Sequence, residues 1–189
     1  MAPINSNEAE KDGILTAASL MAVAARTSPK TRGLDSVKTV ILHEREELEK
    51  LAADMEEFSR SDPERLAFFH RNADDVRKSS AILLIGVTGE PKRVESPLDC
   101  GACGIDCAAM LKAKKKERGT ARGPMCHMQS IDLGIALGSA VKAASDFGVD
   151  NRMMYSIGVA ARRTKLMDAD LVIGIPLSAT GKNPYFTGR

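Results

Sequence analysis

Every cysteine of this 189-residue chain falls in one stretch: Cys100, Cys103, Cys107 and Cys126, spaced C-x2-C, then C-x3-C, then eighteen intervening residues before the last. A segment that gathers all the thiols of a chain is constrained to fold around them, since thiols brought together bind a soft metal. Three close cysteines and one distant one are the arithmetic of an iron–sulfur site, which is most often held by four thiolates. Gly101 and Gly104 suit the tight loop such a site needs, because they accept backbone angles a side chain resists and leave N–H groups free to face sulfur. The spacing points to a four-iron four-sulfur (4Fe-4S) cluster on Cys100, Cys103, Cys107 and Cys126. Structural zinc is the competing reading, also tetrahedral and also content with four thiolates. Zinc usually shows two separated Cys-x2-Cys knuckles, and the second is missing here. An unmetallated thiol or redox pair is a third reading.

The formal net charge is only +2, and the chain has five Phe, two Tyr and no Trp, so it offers neither the field nor the stacking platforms of a nucleic-acid binder. The longest early apolar run, 14–25, covers 12 residues where a membrane-crossing helix needs about 20. Glu8, Glu10 and Asp12 stand before it where a secretory leader carries a basic head. No membrane and no nucleic acid are expected, and a cytoplasmic protein with reduced thiols fits.

Hydrophobic periodicity supplies the elements. Ile14, Ala18, Met21 and Ala25 mark a buried amphipathic helix. Val37–Leu42, Ala81–Val87 and 170–177 read as strands. Between the first two, Leu48, Leu51, Met55 and Phe58 share one helix face. Ser61, Asp62, Pro63 and Glu64 then read as a stop followed by a new cap with Pro at the first helical position. Residues 88–97, with Gly89, Pro91 and Pro97, form a loop that presents the first cysteines, and 107–117 reads as helical. From Ile131 to Phe147 the chain is apolar on most of a helical surface and stops at Gly148. Gly134, Ala136, Gly138 and Ala140 on that helix allow a second backbone or a flat ligand to come close, helix packing being the simpler use. The expectation is an α+β fold, a small sheet covered by helices, forming one domain over 1–189 with a cysteine-rich insertion at 97–127.

Between Cys107 and Cys126, Lys112, Lys114, Lys115, Lys116, Arg118 and Arg122 face one acid, Glu117. Such cations would offset the negative charge of a thiolate-held cluster or dock an acidic partner. Arg26, Lys30, Arg32 and Lys182 are suited to a flavin phosphate by charge and loop position. His43, His70 and His127 are scattered without carboxylates near them in sequence, and Tyr155 and Tyr185 need no catalytic explanation.

The run Cys100-Gly101-Ala102-Cys103-Gly104, the segment Ala24-Ala25-Arg26-Thr27-Ser28-Pro29-Lys30 and the ending Gly174-Ile175-Pro176-Leu177-Ser178 with Gly181-Lys182-Asn183-Pro184 resemble the uncharacterised ferredoxin-domain-containing proteins of bacteria and archaea. The resemblance runs over nearly the whole chain and implies an iron–sulfur domain. The cysteine run is also similar to the small 4Fe-4S domain of electron-transport and acetyl-CoA pathway subunits, where four residues usually separate the second and third cysteines and here three do. A further stretch, Asp132-Leu133-Gly134-Ile135-Ala136 with Ala143-Ala144 and Phe147-Gly148-Val149, resembles the second half of the flavin-dependent nitroreductase fold. That likeness implies a nitroreductase-like architecture, FMN as a cofactor and a homodimer. Lys30 and Gly33 stand where that fold's flavin-cradling serine and asparagine stand, and its tryptophan is absent. The resulting expectation is an iron–sulfur redox or electron-transfer protein coupled to a flavin, serving a redox partner protein or a small-molecule substrate. The alternative is a non-catalytic binding module whose metal, cluster or zinc, is structural and whose basic run docks an acidic partner.

Overall fold

Seven consecutive residues, Ala81–Val87, are all buried, and a strand buried on both faces can exist only at the centre of a layered structure. In the computed structural model, which describes residues 3–118 and 121–186, this strand (β2) pairs antiparallel with β1 (Val37–Leu42) on one side and β6 (Leu171–Ser178) on the other. The register sets Val37 opposite Val87, and Val87 opposite Leu171. A two-residue strand, β5 (Asp150–Asn151), completes the order β1-β2-β6-β5.

The strand's alternation sorts the helices. Ala81, Leu83, Ile85 and Val87 face α1 (Ser6–Thr27) and α5 (His127–Asp146), joining Ile14, Met21, Leu133 and Ala140 in one apolar cluster. Ile82 and Leu84 point the other way, toward α2 (Arg45–Arg60), α3 (Ala67–Lys78) and α6 (Tyr155–Arg163), where Leu51, Met55, Phe69 and Ile157 are fully buried. Each such side chain contributes about 1.5–3 kcal/mol relative to exposure. The small sheet covered by helices on both faces is the architecture expected from the sequence. Among the described residues, no helix is long and apolar enough to cross a membrane.

Helix α1 starts at a capping box: Asn5 Oδ1 accepts from the Glu8 N–H at 3.0 Å while the Glu8 carboxylate reaches back to the Asn5 N–H. Three local expectations are corrected. The second helix after β1 begins at Ala67 and not at Pro63. Asp62 caps an isolated turn, its carboxylate accepting from Arg65 N and its carbonyl from Leu66 N, and Leu66 then leaves helical geometry with its side chain in the core. The helix expected over 107–117 ends at Lys112 (α4, Cys107–Lys112); the chain continues as strand β3 (Lys116–Arg118), paired in a hairpin with β4 (Ala121–Gly123). On α5, Ala136 and Ala140 take the packed side, whereas Gly134 and Gly138 are exposed and a Cβ there would meet nothing within 4 Å. The small residues therefore serve two different faces.

Close backbone approach occurs instead at α6 on β6. A Cβ built on Gly158 would sit 1.7 Å from the Val172 carbonyl oxygen, and one on Gly174 would sit 2.1 Å from Ile157 Cγ2. Backbone cannot retreat as a side chain can, so Gly158→Ala is expected to lower unfolding free energy by about 2 kcal/mol or more, as overpacked cores do. Urea titration checks this, and Gly134→Ala is the control, expected to leave stability unchanged or raised.

Candidate functional site

The loop from β2 to α4 carries Cys100 and Cys103 and delivers Cys107 as the first residue of α4, and its shape follows from its backbone. Gly101 and Gly104 adopt left-handed φ of 72° and 77°, and Asp99 joins them at 48°. The Asp99 carboxylate accepts from the Cys107 N–H at 2.6 Å, and the Asp106 carboxylate caps α4 through the Ala109 N–H at 2.7 Å. This double anchoring folds Cys100 and Cys107 back toward the start of α5. There Cys126, 8% exposed, is held by its N–H to the Gly89 carbonyl at 2.8 Å. Gly89 allows that approach, since a Cβ on it would lie 2.7 Å from Met125 Cγ.

The outcome is convergence. Cys100, Cys107 and Cys126 line one small pocket together with Thr31, Arg32, Lys92 and Gln129. The Cys103 sulfur accepts from the His127 N–H at 3.0 Å, beside Cys126 at the positive end of α5. No three His, Cys, Asp or Glu side chains among the described residues stand at ligand spacing to one point. Burial, the largest influence, pushes the Cys107 thiol above its ordinary value against an opposing backbone hydrogen bond at Asp99. A thiol so placed ionises when a metal replaces its proton. The donor set, four sulfurs with a backbone N–H already directed at one of them, fits a thiolate-bound metal or cluster.

A buried carboxylate fixes this segment to the sheet. Asp170, just before β6, is fully buried and accepts from the Gly89 N–H at 2.8 Å, from Lys115 Nζ and from the Arg122 guanidinium. Burial alone would raise its carboxyl, but the bonds from Lys115, Gly89 and Arg122 prevail and hold it below the usual carboxylate range. Arg162 on α6 adds a bond from Nη2 to Glu117 at 2.5 Å. The basic run is thereby divided. Lys115 and Arg122 are engaged internally, Lys114 and Lys116 line an open cleft with Ala121, Gly123 and Pro124, and of Arg118 only the backbone is described.

A second buried carboxylate, Asp132 on α5, joins three segments. Its Oδ1 accepts from the Thr31 N–H and hydroxyl, both at 2.8 Å, and its Oδ2 from Lys92 Nζ at 2.6 Å. Arg32 donates to the Ser96 carbonyl at 2.7 Å, so the loop after α1 is latched to the loop that leads into the cysteines. Of the four cations expected at a flavin phosphate, Arg32 lines the cysteine pocket. Arg26 pairs with Asp35, and the nearly buried Lys30 Nζ donates to the carbonyls of Ala25, Arg26 and Ser28. Burial, the largest influence on Lys30, holds its pKa below the ordinary lysine value. Lys182 lies next to Thr180, which bonds Asp150 of β5, at the opposite edge of the sheet from β1. The four do not fit a phosphate as one set within a chain.

His43 and His70 are exposed, away from the cysteines, whereas His127 reaches them through its backbone alone. Tyr185 is a core residue: burial raises its hydroxyl to about 12, and that hydroxyl meets Ser79 Oγ at 3.1 Å. Sequence reasoning did not single out Asp132, Asp170, Lys92 or Gln129. The legible signal was a lone acid set among apolar residues, Asp132 beside Leu133 and Asp170 before Leu171, which implies burial with a cationic partner.

Residues 122–187, which include Cys126 but not the other three cysteines, match a family described as an uncharacterized protein containing a ferredoxin domain. The chain is 45% identical over 184 residues, 97% of its length and 96% of the other's, to an uncharacterized protein of Archaeoglobus fulgidus. Its structure resembles a BluB-like flavoprotein from Clostridium difficile 630 (TM-score 0.57, 12% identity, all of this chain and 86% of that one). It also resembles a nitroreductase family protein from Clostridium novyi NT (0.51, 14%, 95% and 77%). A third resemblance is to an NADPH:FMN oxidoreductase from Vibrio harveyi (0.53, 13%, all of this chain and 65% of that one). At these identities the likeness shows the fold, and it is nitroreductase-like.

The Asp170 clamp has a pH signature. Its carboxyl is lowered in the folded chain, so the stability it contributes is present above the unfolded value near 4 and is lost as pH falls through that value toward the folded one. Asp170→Asn is expected to cost about 2 kcal/mol at pH 7, and the gap to wild type in urea melts is expected to shrink between pH 5 and pH 3. A gap that stays constant over that range would show that the charge contributes nothing.

Proposed function

Because the chain belongs to the family of uncharacterized proteins containing a ferredoxin domain, we propose that Cys100, Cys103, Cys107 and Cys126 hold a 4Fe-4S cluster and that the protein works in redox chemistry or electron transfer. One observation carries the reading: residues 100, 107 and 126 line a common pocket, and the sulfur of residue 103 is hydrogen-bonded to the residue after Cys126. When bound, such a cluster supplies one-electron uptake and release.

The chain's own residues do the rest. The glycine-bearing loop and the first residue of α4 present three sulfurs, the start of α5 supplies the fourth and an N–H donor, and the Asp170 clamp ties Gly89 to the sheet. Arg26 and Lys30 are engaged within the chain and Lys182 stands at the opposite edge of the sheet from β1, so these cations do not form one phosphate site for FMN within a chain. The reading suits the reducing cytoplasm and a partner that accepts or donates single electrons, either a redox protein or a small substrate. Leu20 and Val23 of α1 with Ile131 and Ile135 of α5 are exposed large apolar residues, which supports a homodimer. Docking of an acidic partner to the basic run is the weaker reading, because Lys115 and Arg122 already serve Asp170.

Protein purified without oxygen is expected to contain about four iron atoms per chain and to show broad visible absorption that bleaches with dithionite. Cys126→Ser is expected to lose most of that iron and colour while remaining folded by circular dichroism. A colourless, stoichiometrically zinc-loaded wild type would overturn the proposal.

A further inference from the structure

The wall of the cysteine pocket carries two cations of different character. Arg32 is exposed and turned toward Ser96. Lys92 has a side chain only 8% exposed, its ammonium is fixed at two points, the Leu34 carbonyl and Asp132 Oδ2, and the residue lines the pocket together with Cys100, Cys107 and Cys126. Asp132 in turn is 1% exposed, and both its oxygens are engaged by Lys92 and Thr31. A buried ion pair is weak evidence for stability, since desolvation offsets most of the attraction. Its placement has a different effect: charges fixed in a low-dielectric wall act on any neighbouring change of charge far more than solvated ones do.

We propose that Lys92 and Asp132 form a built-in electrostatic pair that sets the reduction potential of the redox group at the four cysteines, with Lys92 the cation presented to the pocket and Asp132 the residue that positions and partly neutralises it. The inference rests on the cluster reading above. Adding one electron places one more negative charge at the sulfurs. Lys92 stabilises that charge and Asp132 opposes it, so the two residues pull the potential in opposite directions. Both are positioning residues, since neither supplies a sulfur or a proton to the site.

The test is a mediated redox titration, followed optically, of anaerobically assembled wild type, Lys92→Met, Lys92→Arg and Asp132→Asn. Lys92→Met removes the cation and leaves Asp132 uncompensated, so the reduction constant is expected to fall roughly tenfold, about 59 mV for a one-electron couple. Asp132→Asn leaves Lys92 unopposed and is expected to raise it by a similar factor, while Lys92→Arg is expected to restore the wild-type value. A structural role alone would lower cluster content or melting temperature in both variants without opposite shifts in potential. Thr31→Val, which strips Asp132 of a hydroxyl donor and strengthens its field, is expected to lower the constant a few-fold and serves if a buried variant does not fold. Potentials that are unmoved, or that move in one direction for Lys92→Met and Asp132→Asn, overturn the proposal while leaving the cluster itself standing. A wild type that assembles no cluster overturns both.

Discussion

The arrangement depends on the buried carboxylate of Asp170. Fully enclosed at the edge of β6, it draws in the Gly89 N–H from the loop after β2, Lys115 from the segment after α4 and Arg122 from the β3–β4 hairpin. These three groups come from both ends of the cysteine-rich segment. Without them, that segment would be joined to the sheet by short strands and a six-residue helix, too little apolar surface to order it independently. With them, Gly89 is held where its carbonyl receives the Cys126 N–H, and Cys126 lines the same pocket as Cys100 and Cys107.

Much of this was legible in the chain. The three main strands, the paired helices between the first two and the stop of α5 at Gly148 follow from periodicity and terminators, because those elements bury continuous apolar faces. Spacing set the expectation of one shared site, and Cys100, Cys107 and Cys126 line one pocket, although among the described residues no three such side chains stand at ligand spacing to one point. The details that failed share a cause: they lie where polar contacts distant in sequence decide the outcome. The basic residues after Lys112 read as helix formers, but Arg122 is claimed by Asp170, Glu117 by Arg162, and the intervening chain pairs as a hairpin. Gly134 and Gly138 read as packing residues, yet the side of α5 facing the core is the one bearing Ala136 and Ala140. Lys92 and Gln129 carry no local signal, and their roles, like the partners of Asp132, exist only once α5 meets two loops.

The fold and the site bear differently on function. The nitroreductase-like architecture supplies a rigid, two-sided sheet with α5 running along it, and resemblance at this level of identity leaves chemistry open. The chemistry-bearing part of this chain is its cysteine-rich segment, set at the start of α5 where a backbone N–H meets Cys103. The loop after α1 is latched against the same pocket through Thr31, Arg32 and Lys92. In place of a set of cations gathered for a phosphate, the structure gives Arg26 and Lys30 the task of closing the end of α1.

X-ray absorption at the iron edge of anaerobic protein addresses the central claim most directly, because it reports the atoms bound to the metal. A first shell of sulfur alone, with iron neighbours beyond it, is the result this account requires. Iron bound through nitrogen or oxygen, or sites filled by zinc with no iron neighbour, would contradict it.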